Sequence, residues 1–191
     1  MKRIQWMLAL GGLATATPLA AQRAGAFIGI QGGGTLGDLC CSVNTDDRWG
    51  GTAGLVFGYV TEWHTGIVLE GNWTQKGGGN TRIDYVDIPL TVGAVVPAAN
   101  GRLRGRVYGG IGIAIPVSCT STQVAFDCDR KNSPEWAVPF GLQFGNVSEG
   151  GRIIALDARY SIGLSDAFTA TGVQNRSWQF RAMVGFPVGS H

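Results

Sequence analysis

Histidine occurs twice in the 191-residue sequence, at His64 and His191, and cysteine four times, at Cys40, Cys41, Cys119 and Cys128. A lipid-modifying hydrolase or acyltransferase would need a nucleophile such as serine, a histidine base and an acid to orient it. His64 falls in a short turn and His191 is the terminal residue, so neither can serve a site built on the long connections. No catalytic residue is assigned. The four thiols have the wrong spacing for a zinc ribbon. Asp46-Asp47 and Asp127 with Asp129 are acid pairs in solvated loops, which hold cations weakly. Gly32-Gly33-Gly34 and Gly77-Gly78-Gly79 lack the following helix that a nucleotide cradle needs. No metal and no cofactor is expected.

The residue that demands an explanation is Asp87, an acid inside the apolar run IDYVDIPLTVGAVV at residues 83–96. A buried carboxylate without a partner carries a heavy desolvation cost. Its even-numbered neighbours Val86, Ile88, Leu90, Val92, Ala94 and Val96 form one face, and Asp87 lies on the other with Tyr85, Pro89, Thr91 and Gly93. That period of two is the signature of a β-strand.

The same alternation recurs along the chain, and no window has convincing helical periodicity. Leu103, Val107, Ile111, Ile113, Ile115 and Val117 oppose Arg104, Arg106 and Tyr108; Trp136, Val138, Phe140, Leu142 and Phe144 oppose small residues and Gln143. Ile154, Leu156, Tyr160 and Ile162 oppose Asp157 and Arg159, and Trp178, Phe180, Val184 and Phe186 oppose Gln179 and Arg181. Ile67, Leu69 and Trp73 oppose Glu70, Asn72 and Thr74, while Leu55, Phe57 and Tyr59 oppose glycines and Thr52. With the less regular AGAFIGIQGGG, this makes eight strands.

The opening MKRIQWMLALGGLATATPLAAQ has the three parts of a secretory signal peptide: basic Lys2 and Arg3, an apolar run from Trp6 to Leu13, and small residues ending at Ala21. The apolar run is too short to span a bilayer. Residues 1–21 are therefore expected to be a signal removed after Ala21, and residues 22–191 to be the exported domain. That domain carries 13 basic and 13 acidic residues, so no global field favours nucleic acid.

Eight strands in an exported chain fit either a soluble lipocalin-like ligand-binding barrel or a membrane barrel, which differ in which face is apolar. Here the polar faces hold few charges and many Gly, Ala, Ser and Thr, too little for a water-exposed wall. The apolar faces carry aromatics toward their ends at Tyr59, Trp73, Trp136 and Trp178, as interfacial girdles require. The connections alternate, with long ones at 35–48, 118–134 and 165–175, a medium one at 77–81, and short ones at 62–65, 97–102 and 148–151. This matches long external loops and short periplasmic turns with both termini periplasmic. The reading is an all-β, eight-stranded antiparallel up-and-down transmembrane β-barrel.

Asp87 through Leu90, Tyr108-Gly109-Gly110, the Leu156–Leu164 segment LDARYSIGL and the strand opened by Asn175-Arg176 resemble the outer-membrane β-barrel domain proteins often labelled porin-family. The resemblance covers essentially the whole exported chain. It implies an eight-stranded barrel in the outer membrane of a Gram-negative-type cell. Its implied partners are outer-membrane lipid and lipopolysaccharide and the barrel assembly machinery. Such chains usually end on an aromatic residue that the machinery reads; here Phe186 is followed by PVGSH and is the substitute.

An eight-stranded barrel has an interior that side chains just fill. Glu70, Asp87, Arg104, Arg106, Asp157, Arg159 and Arg181 are therefore expected to form an ion-pair network that plugs the lumen, with Asp87 held by Arg106, Arg159 or Arg181. All four cysteines fall in the expected external loops. Four cysteines allow three connectivities; a Cys119–Cys128 bridge, closing a ten-residue loop, is the simplest and would leave Cys40 and Cys41 as a neighbouring pair, free thiols or partners for the third loop. The expected function is non-enzymatic: a monomeric structural or surface-interaction barrel that presents loops 35–48, 118–134 and 165–175 to an unnamed external ligand. The alternatives are a small-solute pore and the soluble lipocalin-like barrel.

Overall fold

The computed structural model describes residues 25–41, 45–98, 102–122, 128–130, 134–168 and 172–189. The expected signal peptide, residues 1–21, lies outside them. Eight strands run in chain order: β1 Gly25–Cys41, β2 Arg48–Val60, β3 Thr65–Gly78, β4 Thr81–Pro97, β5 Leu103–Ser121, β6 Glu135–Val147, β7 Ile153–Gly163 and β8 Val173–Val188. Each pairs antiparallel with the next, and β8 pairs back onto β1 to close the barrel. Closure leaves no strand edge unpaired, which a chain crossing hydrocarbon requires. The described helical content is one short 3-10 turn, Cys128–Arg130.

Small residues make the closing seam possible. Gly29 and Gly33 lie in β1 opposite Gly185 and Arg181 of β8. A Cβ on Gly33 would overlap the Phe180 carbonyl, and one on Gly29 the Val184 carbonyl. The backbones thus approach more closely there than any larger residue allows.

At the end that carries the described termini the turns are tight. Thr61 and Thr65 close the β2–β3 turn through a 2.9 Å backbone bond, with His64 in a left-handed conformation (φ 59°). Ser148 and Arg152 close the β6–β7 turn at 2.9 Å, and Arg102 pairs with Glu149 to tie two neighbouring turns together.

At the opposite end the strands run further than alternation alone indicates. Thr35–Cys41 belongs to β1, Ser118–Ser121 to β5, and Val173–Asn175 to β8, so the expected loops 35–48, 118–134 and 165–175 shrink to 42–47, 122–134 and 164–172. The medium connection at 77–81 shrinks to Gly79 and Asn80. In GGGTLGD only Leu36 is large and apolar, so the period is hidden in the sequence while the ladder continues to Cys41↔Val173.

Candidate functional site

The lumen is filled in layers, and its middle layer is ionic. Glu70 of β3, Asp157 and Arg159 of β7 and Arg181 of β8 are all buried and inward-facing. Arg181 Nη1 donates to Glu70 Oε2 at 2.7 Å, while its Nη2 and Nε donate to Asp157 Oδ1 at 2.6 and 3.0 Å. Arg159 donates through Nη2 to Glu70 Oε1 and through Nε to the Tyr108 hydroxyl at 3.0 Å. That hydroxyl donates in turn to Asp157 Oδ2 at 2.6 Å. Gln31 Nε2 donates to Glu70 Oε2 and Asn72 Oδ1, both at 2.7 Å, and Asn72 Nδ2 donates to the same Glu70 oxygen at 2.9 Å. Two acids and two guanidiniums balance to zero. Asp157 and Arg181 face each other directly in the β7–β8 ladder, and Glu70 is joined to them across the barrel.

Asp87 does not belong to this cluster. Its partner is Lys76, whose Nζ lies 2.9 Å from both carboxylate oxygens and 5.1 Å from the centre of the Tyr85 ring. The expected pairing of Asp87 with Arg106, Arg159 or Arg181 is corrected: Arg159 and Arg181 are committed to Glu70 and Asp157. Asp87 stands opposite Asn72 in the β3–β4 register, so Lys76, four residues on along the same inner face, reaches it. The parity of Glu70, Asn72 and Thr74 extends to Lys76, and that signal in the sequence identifies it.

The two remaining bases lie elsewhere. Arg106 stacks over Tyr108 with its guanidinium carbon 4.5 Å from the ring centre, and its Nη2 donates to Thr91 Oγ1 at 2.8 Å and the Thr91 carbonyl at 3.3 Å. It forms no ion pair among the described residues, and its Nε is buried without a hydrogen-bond partner. Arg104 lines a cavity of about 60 Å³ at the mouth near the termini. The seven expected residues therefore divide into a four-residue cluster, Asp87 with Lys76, and two arginines toward one end.

A third polar layer went unrecognised in the sequence. Tyr85 donates to Glu135 Oε1 at 2.5 Å, and Asn175 Nδ2 donates to the Tyr85 hydroxyl at 2.7 Å and to Glu135 Oε2 at 2.9 Å. Glu135 opens β6, and Asn175 falls inside the segment read as loop, so no alternation marked either.

Apolar groups gather at both ends. Toward the termini, Phe27, Val56, Val68, Ala155 and Met183 pack together. At the other end Leu39, Ile83, Tyr85, Ala114 and Val173 pack around Ala167 and Phe168, which are 0% and 1% exposed. Ala167 and Phe168 come from the connection expected to face outward. This corrects the expectation for 165–175: its first residues turn back into the mouth, fixed by the Ala167 N–H to Val173 carbonyl bond at 2.7 Å.

The outer wall reverses the usual order of a soluble protein. Ile30, Leu55, Leu69, Leu90, Ile111, Leu142, Leu156 and Phe180, one from each strand, are all exposed. Trp49, Leu36, Trp178, Tyr160 and Phe140 are successive ladder partners from β2 through β1, β8 and β7 to β6. Within that row the Tyr160 and Trp178 rings pack with their centres 4.8 Å apart, tilted by 47°. Charged and hydrogen-bonded inside, greasy and aromatic outside, the barrel has the polarity of one that spans a membrane. That overturns the soluble lipocalin-like alternative. The fold is that of the small outer-membrane barrels.

Solved structures agree. The chain is similar to Neisserial surface protein A (NspA), with a TM-score of 0.57 at 13% identity, over 85% of this chain and 98% of that one. It is similar to the outer membrane protein OprG from Pseudomonas aeruginosa, with a TM-score of 0.50 at 14% identity, over 88% of this chain and 98% of that one. No protein-family model matches the chain, and no curated protein matches its sequence.

On this outer-membrane-type barrel the cysteines are not all in loops, as expected from the sequence: Cys40 and Cys41 end β1, and Cys119 lies in β5. The pairs are Cys40 with Cys41 and Cys119 with Cys128. Cys41 adopts a left-handed conformation (φ 89°) where β1 ends. Among the described residues no three His, Cys, Asp or Glu side chains converge as a metal set. His64 sits in the β2–β3 turn, away from the loops at the other end.

Proposed function

We propose that the protein is a non-enzymatic, non-conducting barrel of the outer membrane that acts as a structural or surface-interaction scaffold. The observation that carries this reading is Glu70 joined across the lumen to Arg159, Arg181 and Asp157. Two cavities among the described residues, of about 20 and 60 Å³, share no lining residue, and Arg159 of the cluster lines the smaller one. With Phe168 seated in one mouth and Phe27 and Met183 in the other, the arrangement favours a plug over a small-solute pore.

In this reading residues 1–21 are the export signal, both termini are periplasmic, and the barrel is a monomer. Lipid and lipopolysaccharide surround the wall, and the assembly machinery reads the last strand through Phe186, which is exposed near its end. Connections 42–47, 122–134 and 164–172 then face the outside. The Cys119–Cys128 bridge restrains the longest of them and Phe168 anchors another, so each is presented on a fixed base.

The test is conductance in planar bilayers beside heat-modifiable gel migration and protease access to loop 122–134 on intact cells. The expected result is a barrel that resists detergent until boiled, carries no steady single-channel current, and is cut from outside. A steady ohmic current from the parent protein would replace this reading with the pore. Cleavage only after the outer membrane is opened would reverse the orientation.

A further inference from the structure

The cavity at the mouth near the termini has a chemistry that the plug does not use. Its wall is largely apolar, built from Phe27, Val60, Val68, Val95, Ile153 and Met183. The cavity opens toward solvent, with about 510 Å³ of empty space including the mouth. Set into this wall is Arg106, 7% exposed and without a carboxylate partner among the described residues, its Nε–H unsatisfied. Gly66 lies against that nitrogen: a Cβ there would stand 3.3 Å from Arg106 Nε and 3.3 Å from Val95 Cγ2. Arg104 lines the same cavity, as does Gln143, whose side-chain nitrogen faces the Met183 sulfur at 3.8 Å.

A buried guanidinium donor left unmade is costly, because the group has lost its water and gained nothing in exchange. Elsewhere in the lumen the ion pairs balance: Glu70 and Asp157 against Arg159 and Arg181, and Asp87 against Lys76. Arg106 has no such partner among the described residues, and it borders empty space lined with hydrocarbon. A ligand that satisfies both features carries one negative charge on an apolar stem.

We propose that this vestibule binds an amphiphilic monocarboxylate. Its carboxylate accepts from Arg106 Nε beside Gly66, with Arg104 adding positive charge, and its alkyl stem lies against Val68, Val95, Ile153 and Met183. A carboxylate fits better than a bulkier polyanion because the buried donor is a single Nε–H in a narrow recess, and a planar head can enter edge-on. The site lies on the near side of the ionic cluster, so occupancy does not require a conducting lumen.

The test uses the full chain in phospholipid nanodiscs, labelled with 15N-arginine and titrated with octanoate, while the Arg106 Nε–H resonance is followed. Octanoate is expected to shift that resonance saturably, and Arg106→Gln to weaken binding at least ten-fold. The matched alcohol 1-octanol and the stemless acetate should each bind at least ten-fold more weakly than octanoate. Gly66→Val keeps the guanidinium but fills the recess beside it, so it should also weaken octanoate ten-fold or more; it serves as the deciding variant should Arg106→Gln not fold. No saturable shift at Arg106, equal binding of octanol, or parental affinity in Gly66→Val would each overturn the proposal. Conductance plays no part in these readouts, so the vestibule and the plug fail independently.

Discussion

Lys76 holds Asp87: one ammonium 2.9 Å from both carboxylate oxygens, on adjacent strands β3 and β4 and four residues out of direct register. The pair is buried, so each member makes the other tolerable. Breaking it by Asp87→Ala strands an ammonium in the lumen and is expected to cost about 3–5 kcal/mol. The double variant Asp87→Ala, Lys76→Met should recover part of that loss. Urea unfolding of all four proteins in lipid vesicles measures the coupling; additive losses, or coupling of Asp87 to Arg181 in place of Lys76, would refute the assigned pair.

Arg181 bridges Glu70 and Asp157, so Arg181→Ala leaves Asp157 with the Tyr108 hydroxyl and no cation bonded to it, and Glu70 with Arg159 alone. The expected loss is again about 3–5 kcal/mol, accompanied by current in planar bilayers where the parent has none. Unfolding midpoints and bilayer recordings on the same preparation check both halves. A variant as stable and as silent as the parent would mean that the cluster neither stabilises nor seals.

Leu90 and Thr91 are neighbours with opposite surroundings: Leu90 is 46% exposed on the wall, Thr91 fully buried in the lumen. Leu90→Arg places a charge in hydrocarbon and should cost about 2–4 kcal/mol. Thr91→Val keeps the shape but removes the hydroxyl that accepts from Arg106, at an expected cost of about 1–3 kcal/mol. If Thr91→Val stabilised the barrel, as a valine facing lipid would, the inside and outside of β4 would be exchanged.

Phe168 caps the far mouth against Leu39, Ile83 and Val173. Removing its ring by Phe168→Ala should cost about 3 kcal/mol and free connection 164–172 for proteolysis. Limited proteolysis of the folded barrel in lipid, read by mass spectrometry, locates the cut; resistance equal to the parent would show that the ring does not hold the loop.

Much of this barrel was legible in its residues. Alternation with period two assigned Asp87, Asp157 and Arg159 to one face and Ile88, Leu90 and Leu156 to the other. The scarcity of charge on the polar faces told that this side turned inward. Where alternation lapsed, the reading lapsed with it. Thr35–Cys41 and Val173–Asn175 show no such alternation, because apolar residues mix with small and polar ones on both faces, and so nothing in the sequence marks Leu39 and Asn175 as lumen residues.

The sequence by itself determined the side on which each strand residue stands, because in a pleated strand successive side chains must point to opposite faces. Only the tertiary structure decided the height at which each one stands. Height is set by the stagger between strands as the sheet closes on itself, summed around eight ladders, and no local pattern encodes that sum. It brought Lys76 level with Asp87, gave Arg159 and Arg181 to Glu70, and left Arg106 facing an apolar cavity. It also turned Phe168 back into the mouth, because a recess lined by Leu39, Ile83 and Val173 exists only once strands distant in sequence have met.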